Sequence, residues 1–173
     1  MLQPTLYNEF VTLRPLVQDD FESLFTVAAD ELLWEQHPSK ERSQRSGFTT
    51  FFDKALQSGG ALAIIDTVTK DVIGTSRYYE WNETEASVAI GYTFIARKYW
   101  GTTYNRTVKD LMLQHAFQFA NKVLFYVDGE NFRSQKAVEK LGAIKIGEQD
   151  TVYTNLPTRK SFIYQLSKEQ WQG

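Results

Sequence analysis

Midway along the chain the hydrophobic pattern changes from that of a strand to that of a helix across one short junction, and this switch restricts the fold more than any other feature. "EASVAIGYTFIA" reads as a long strand whose alternate residues Val88, Ile90, Tyr92 and Phe94 are expected to share one face. "NRTVKDLMLQHAFQFAN" then places Val108, Leu111, Met112, Ala116, Phe119 and Ala120 at helical spacing. The junction, "RKYWGTTYNR", carries a lone glycine, Gly101, behind Tyr99 and Trp100 and ahead of two threonines. Glycine there supplies a tight turn. The first turn of the helix leaves about four backbone N–H groups unpaired, and with the helix dipole these make a site for phosphate.

The flanking segments extend the alternation of strands and helices. "FVTLRPL" reads as a short strand stopped by Pro15, and "VQDDFESLFTVAAD" as a helix with Asp19 as N-cap and Glu22 completing a capping box. A second helix is expected from Ser39 to Gln57, closed by Gly59 and Gly60, with Gly47 in its middle. "ALAIIDT" and "VIGTSRYYEW" form a hairpin, and either Ser76, Tyr78 and Glu80 or Thr75, Arg77 and Tyr79 face inward. After the central helix come a buried strand "VLFYV", a shorter helix ending at Gly142, and a closing antiparallel pair, "AIKIGEQDTVYT" and "RKSFIYQLS". The expectation is a mixed α/β domain.

Composition removes several function classes. The 173 residues, 42% of them hydrophobic, suit one domain over 1–173 with a sizeable core and are too few for two. A net charge of -2, with the 19 basic residues scattered, gives no footprint for nucleic acid. There is no cysteine, hence no disulfide and no thiolate metal site. "MLQPTLYNEF" has no basic leader or apolar region, and no run approaches the ~20 apolar residues of a membrane span. A cytoplasmic location is the expectation.

The element order and three motifs resemble the GCN5-related N-acetyltransferase (GNAT) superfamily from about Val11 to Leu166, in particular the branch similar to enzymes that acetylate ribosomal-protein N-termini. The resemblance implies a central, mainly antiparallel twisted sheet flanked by helices, acetyl-CoA as cosubstrate, and no metal. The family's [QR]-x-x-G-x-[GA] loop falls on Lys98, Tyr99, Trp100, Gly101, Thr102 and Thr103, which it implies hold the pyrophosphate; lysine and Thr103 depart from the pattern. Its N-x-x-[AS] helix start falls on Asn131 and Ser134, implied to meet the pantetheine amides and the sulfur. Val138 stands where many members place a thiolate-protonating tyrosine, so that role passes to Ser134. "AIGYTFI" resembles the strand whose backbone pairs with the pantetheine arm, making Phe94 and Ile95 cofactor contacts. Ala89 replaces a glutamate that many relatives use as base.

Glu85, on the strand face of Ser87 and Ala89, is then the first nominee for the base; the same residue also reads as an exposed glutamate at a strand end. His37 lies in the loop that borders the acceptor pocket in this family; a pKa near 6.5 suits a base, and the same residue also reads as a surface turn histidine. Trp34 and Tyr79 are expected to line that pocket, with Arg77 holding a carboxylate or carbonyl of the acceptor. The acceptor is expected to be a primary amine, on a small molecule or a protein N-terminus. A free α-amine, with pKa near 7.7–8.0, is roughly a tenth neutral at pH 7, so even a weak base serves it. The departures at Ala89, Thr103 and Val138 keep open a rival, a non-catalytic acyl-CoA-binding or sensing domain. The closing strand pair is a possible homodimer surface.

Overall fold

In the computed structural model, which describes every residue except 154 and 172, eight strands form one sheet and four helices cover its faces. The elements are β1 (Leu6–Tyr7), β2 (Val11–Pro15), α1 (Phe21–Ala28), α2 (Arg45–Gln57), β3 (Ala61–Asp66), β4 (Val72–Asn82), β5 (Ser87–Ile95), α3 (Tyr104–Ala116), β6 (Lys122–Asp128), α4 (Phe132–Lys140), β7 (Ile144–Thr151) and β8 (Arg159–Ser167). The sheet order is β1-β2-β3-β4-β5-β6-β8-β7. All neighbours are antiparallel except β5 and β6. The expected mixed, mostly antiparallel α/β class is what the chain adopts. Thr154, last residue of one expected closing strand, lies outside the described residues.

Both faces of the sheet are covered, which dissolves the choice posed for "TSRYYEW". Tyr78 points to the α3 side, where its hydroxyl donates to the Met112 carbonyl at 2.6 Å. Arg77, one residue earlier, points to the α1–α2 side and lies over Phe51. Residues from Ile73 to Tyr78 are all buried, because a central strand with helices on both sides has no solvent face. One core cluster joins Tyr78, Val88 and Ile90 to Val108 and Met112 of α3. The other joins Phe48, Phe51 and Phe52 of α2 to Trp34 and Phe94.

Three local expectations are corrected. Asp19 does not cap α1: a 3-10 turn, Gln18–Asp20, precedes it, and the carboxylate that accepts the Val17 N–H at 2.9 Å belongs to Asp20, itself paired with Arg14. Glu22, freed of a capping role, pairs with Arg45 of α2 at 2.7 Å. The helix expected from Ser39 breaks at Gln44, whose backbone is extended, into a 3-10 turn (Lys40–Ser43) and α2. Gly47 permits this fold-back, since a Cβ there would lie 2.1 Å from the Glu41 carbonyl oxygen.

The third correction shapes the site. Thr75 pairs with Phe94 but Arg77 pairs with Gly91, so β5 carries one residue more than β4 over this stretch, and Tyr92 takes a left-handed φ of 53°. That bulge reverses the alternation. Val88 and Ile90 therefore face α3, whereas Phe94 and the partly exposed Tyr92 lie on the α2 side with Phe51; the four do not share a face.

Candidate active site

Parallel pairing between β5 and β6 ends early. Ser87, Val88 and Ala89 pair with Lys122, Val123 and Leu124, and beyond them the strands part, β6 continuing instead on β8 to Asp128. The result is a slot whose one wall is the β5 edge from Ile90 to Ile95 and whose other wall is the end of β6 and the start of α4. The bulge at Tyr92 helps to open it, because it bends β5 away from a straight ladder.

At the far end of the β5 wall the chain makes a 3-10 turn (Arg97–Tyr99), passes Gly101 at φ 72° and enters α3. Thr102 donates to the Tyr99 carbonyl and accepts from the Tyr104 N–H at 3.3 Å. Thr103, the N-cap residue, makes no side-chain cap bond, so the first turn of α3 keeps free N–H groups aimed along its axis. Nothing lies within 4 Å of where a Gly101 Cβ would be, so the turn needs glycine for its backbone angle and not for space. Lys98 is exposed. Arg97, beside it, is tied to Asp30 at 2.5 Å.

Tyr99 and Trp100, neighbours in sequence, have separate tasks. The Tyr99 side chain is buried and its hydroxyl donates to Asp66 at 2.7 Å, a bond that holds the Asp66 carboxyl below the usual carboxylate range. Its side chain anchors the loop to β3 and does not face the slot. The Trp100 indole donates to the Ile95 carbonyl at 3.2 Å, and the Arg133 guanidinium lies 3.7 Å over its ring. Arg133 thus reaches from α4 across to the other wall. Phe94 and Ile95 are themselves 7% and 4% exposed, so only their backbones can meet a ligand in the slot.

On the opposite wall Asn131 is 7% exposed and caps α4 by accepting the Ser134 N–H at 3.3 Å. Ser134 is half-buried in the first turn of α4. Val138 is core. The Arg133 N–H donates to Gln36 at 3.1 Å, which ties the loop between α1 and α2 to this helix start. Asp128, at the end of β6, is held by both arms of Arg159 at 2.7 and 2.8 Å and receives the Glu130 N–H at 2.9 Å; Glu130 is also paired with Arg159. Those contacts hold the Asp128 carboxyl below its ordinary range against the opposing effect of burial.

The α1–α2 side of the slot mouth is aromatic. Trp34 is 4% exposed, donates to the Ala28 carbonyl at 2.8 Å and meets Phe94 edge-on with centroids 5.2 Å apart. Tyr79 lies 5.0 Å from Tyr92 and 6.3 Å from Tyr126, so it bridges β4, the bulge and β6. Burial pushes its hydroxyl well above the ordinary tyrosine range, leaving a neutral donor. His37 accepts the Ser39 N–H on Nδ1 at 2.9 Å, and burial, with Arg42 nearby, pulls its pKa down to about 3. A neutral ring with Nδ1 engaged carries its proton on Nε2, so His37 offers a donor there and no free base nitrogen.

Glu85 is not brought to the slot. It lies in the turn before β5, on the closed side of the last register pairs, exposed and 3.2 Å from Lys122. From Ser87, where β5 begins, to the bulge at Tyr92 is five strand residues, or roughly 17 Å, and Glu85 lies beyond Ser87 in the turn. The strand-end alternative for Glu85 is the one realised. Sequence reading missed Arg42, Arg133 and Tyr126. Arg133 had a signal: a cation in the first turn of a helix opposes the dipole, which asks for another reason for it to be there.

Residues 11–144 match the family model described as an acetyltransferase (GNAT) domain. The chain belongs to the GNAT acetyltransferase family. Among solved structures, a GCN5-related N-acetyltransferase from Brucella melitensis superposes with a TM-score of 0.85 at 19% identity, covering 98% of this chain and 80% of that one. A candidate acetyltransferase from T. thermophilus gives 0.81 at 25% identity, covering 99% and 93%. A spermidine N-acetyltransferase from Vibrio cholerae, solved with CoA and spermine, gives 0.70 at 18% identity, covering 96% and 100%. No curated protein sequence matches the chain. As a GNAT domain it is an acetyltransferase, and among the described residues no helix is long and apolar enough to cross a membrane.

Proposed function

We propose that this GNAT domain transfers an acetyl group from acetyl-CoA directly to a primary amine within a ternary complex, in the manner of the branch similar to enzymes that acetylate ribosomal-protein N-termini. The observation that carries the reading is the slot between β5 and β6, which runs toward an α3 N-terminus whose N-cap residue, Thr103, makes no side-chain cap bond. The fit is chemical as well as steric: free amides, the helix dipole and nearby Lys98 suit a diphosphate, and the unpaired β5 edge suits a chain of amides. A fold relative, the Vibrio cholerae enzyme, is solved with CoA, which supports a CoA-type cosubstrate for this fold.

In this reading residues 98–103 hold the diphosphate through backbone groups, Asn131 offers its remaining amide protons to the pantetheine arm, and Ser134 faces the sulfur. Acetyl-CoA supplies the thioester. The acceptor nitrogen, as the free amine, donates its lone pair to the thioester carbonyl carbon; the C–S bond breaks, and the proton shed by nitrogen ends on sulfur. Because that exchange is internally balanced and an α-amine is partly neutral at pH 7, no carboxylate at Ala89 is required. Ser134 assists by hydrogen bonding the departing thiolate, whose pKa near 8.5 lets it leave before the proton reaches it.

Calorimetry with acetyl-CoA tests the cofactor: a saturable heat is expected, and its absence at millimolar concentration would overturn the assignment of the slot. Thiol release tests the serine. Ser134→Ala is expected to lower turnover at saturating acetyl-CoA by about tenfold to a hundredfold with little change in acetyl-CoA affinity. Unchanged turnover would remove Ser134 from the sulfur.

A further inference from the structure

The chamber beside the slot mouth holds two arginines that the fold leaves without an anion. Arg77, in the middle of β4, is 6% exposed; its guanidinium lies 3.9 Å over Tyr92 and 5.6 Å from Phe51. Its Nε is buried and has no hydrogen-bond partner. Arg42, from the 3-10 turn before α2, lies over the same Phe51 ring at 4.6 Å and over Trp34 at 5.7 Å. Among the described residues neither arginine has a carboxylate within ion-pair distance, whereas Arg14, Arg45, Arg97, Arg106 and Arg159 all do.

Stacking on aromatic faces satisfies the guanidinium planes and leaves their N–H edges unused. A buried donor without an acceptor is costly, and two cations on one phenylalanine repel each other. Burial draws the Arg42 pKa down to about 10, against a partial pull from Glu41, and lowers that of Arg77 as well. Of the acids near the chamber, Asp128 and Glu130 are taken by Arg159 and Glu80 faces the Tyr126 hydroxyl, while Glu41, next to Arg42 in sequence, attracts it from beyond ion-pair distance. The diphosphate of the cofactor cannot be the missing anion. Arg77 is level with Gly91, whereas the α3 amides follow Gly101, and the strand from Gly91 to Ile95 alone spans about 13 Å.

We infer that the acceptor is an amine that also carries an oxyanion, which the guanidinium edges of Arg42 and Arg77 receive while the amine is presented at the slot. The inference rests on the transferase reading above and concerns its acceptor. Carboxylate and phosphate both fit the fork of an arginine. A polyamine does not fit, because the chamber offers it cations where it needs acids.

Thiol release from acetyl-CoA, compared per molecule of neutral amine, separates the classes. The acceptors are β-alanine and its amide, O-phosphoethanolamine and ethanolamine, an Asp-first and an Asn-first tripeptide, and spermidine. At least one anionic acceptor is expected to exceed its neutral counterpart at least tenfold in kcat/KM, and which pair does so tells carboxylate from phosphate and free amine from peptide. Arg77→Met is expected to abolish that preference, and Arg42→Met, in a turn outside the sheet, to do the same should Arg77→Met fail to fold. Both are expected to leave acetyl-CoA binding by calorimetry intact. Equal use of neutral and anionic acceptors, preference for spermidine, no turnover of any acceptor by protein that binds acetyl-CoA, or a preference that survives both substitutions overturns this inference alone. Loss of acetyl-CoA binding in the unmodified protein overturns the cofactor reading and this one with it.

Discussion

At the scale of single residues, burial decides what a titratable group can do. His37 is an example: the loop that sets it against Trp34 also leaves it neutral, with pKa about 3 in the fold against about 6.5 when unfolded. The sign follows from linkage. Above pH 6.5 neither state binds the proton and stability is whole; as pH falls toward 3 the unfolded chain takes the proton first, and stability declines by up to about 1.4 kcal/mol per pH unit. His37→Asn keeps an acceptor for the Ser39 N–H but cannot titrate. The denaturant midpoint measured at pH 7 and pH 4.5 is expected to fall less in the variant than in the parent. Equal falls would mean that other groups carry the acid sensitivity. The imidazole was visible in the sequence as a titratable group near the expected acceptor pocket, but the Ser39 amide that fixes its tautomer was not, because that bond depends on a turn two residues long.

At the scale of elements, the sequence disclosed each strand from β2 onward and each α-helix, while missing where regular geometry breaks. Alternation in "EASVAIGYTFIA" marks a strand, yet an added bulge residue leaves the same pattern of apolar letters, so the reversal at Tyr92 could not be read. The break at Gln44 was hidden likewise, although Gly47 inside a helical pattern was its trace. The bulge has a cost in α3. Thr93, carried past Tyr92, accepts from Lys109 at 2.9 Å, and this lysine is 7% exposed and, among the described residues, paired with no carboxylate. Burial draws its pKa down to about 7. Its folded pKa lies below the unfolded value, so as pH falls from about 10.5 to 7 the unfolded chain is protonated first, and at neutral pH and below the whole penalty is present. Lys109→Met is therefore expected to raise stability at pH 7 by about 2 kcal/mol, since Thr93 keeps its bond to Ser76 at 2.8 Å. A urea titration showing a loss instead would mean that the Lys109–Thr93 bond holds the bulge in place.

At the scale of the whole molecule, family membership was legible because it depends on order: glycine turn before the third long helical pattern, Asn-x-x-Ser before the fourth. The chamber proposed for the acceptor was legible only in part: Trp34, His37, Arg77 and Tyr79 were named for it, but Arg42 and Tyr126 were not, because its walls come from a loop at 34–42, the bulge near 92 and the end of β6, segments far apart in sequence. Arg133 joins two such walls. Its guanidinium crosses from α4 to stack on Trp100 beside the Gly101 turn, and its own backbone N–H holds Gln36 of the loop above. If the slot takes acetyl-CoA, a cation in this position is next to the diphosphate and its loss should be felt there more than in the fold. Arg133→Met keeps the bulk over the indole and the backbone bond to Gln36 while removing the charge. Acetyl-CoA at a hundredfold over its Kd is expected to stabilise the parent by about 2.7 kcal/mol. The variant is expected to bind about tenfold more weakly, a loss of about 1.4 kcal/mol, and to unfold without ligand at nearly the parent's temperature. Matching thermal shifts across the same acetyl-CoA titration would make Arg133 a brace between the walls, with the α3 amides holding the diphosphate unaided.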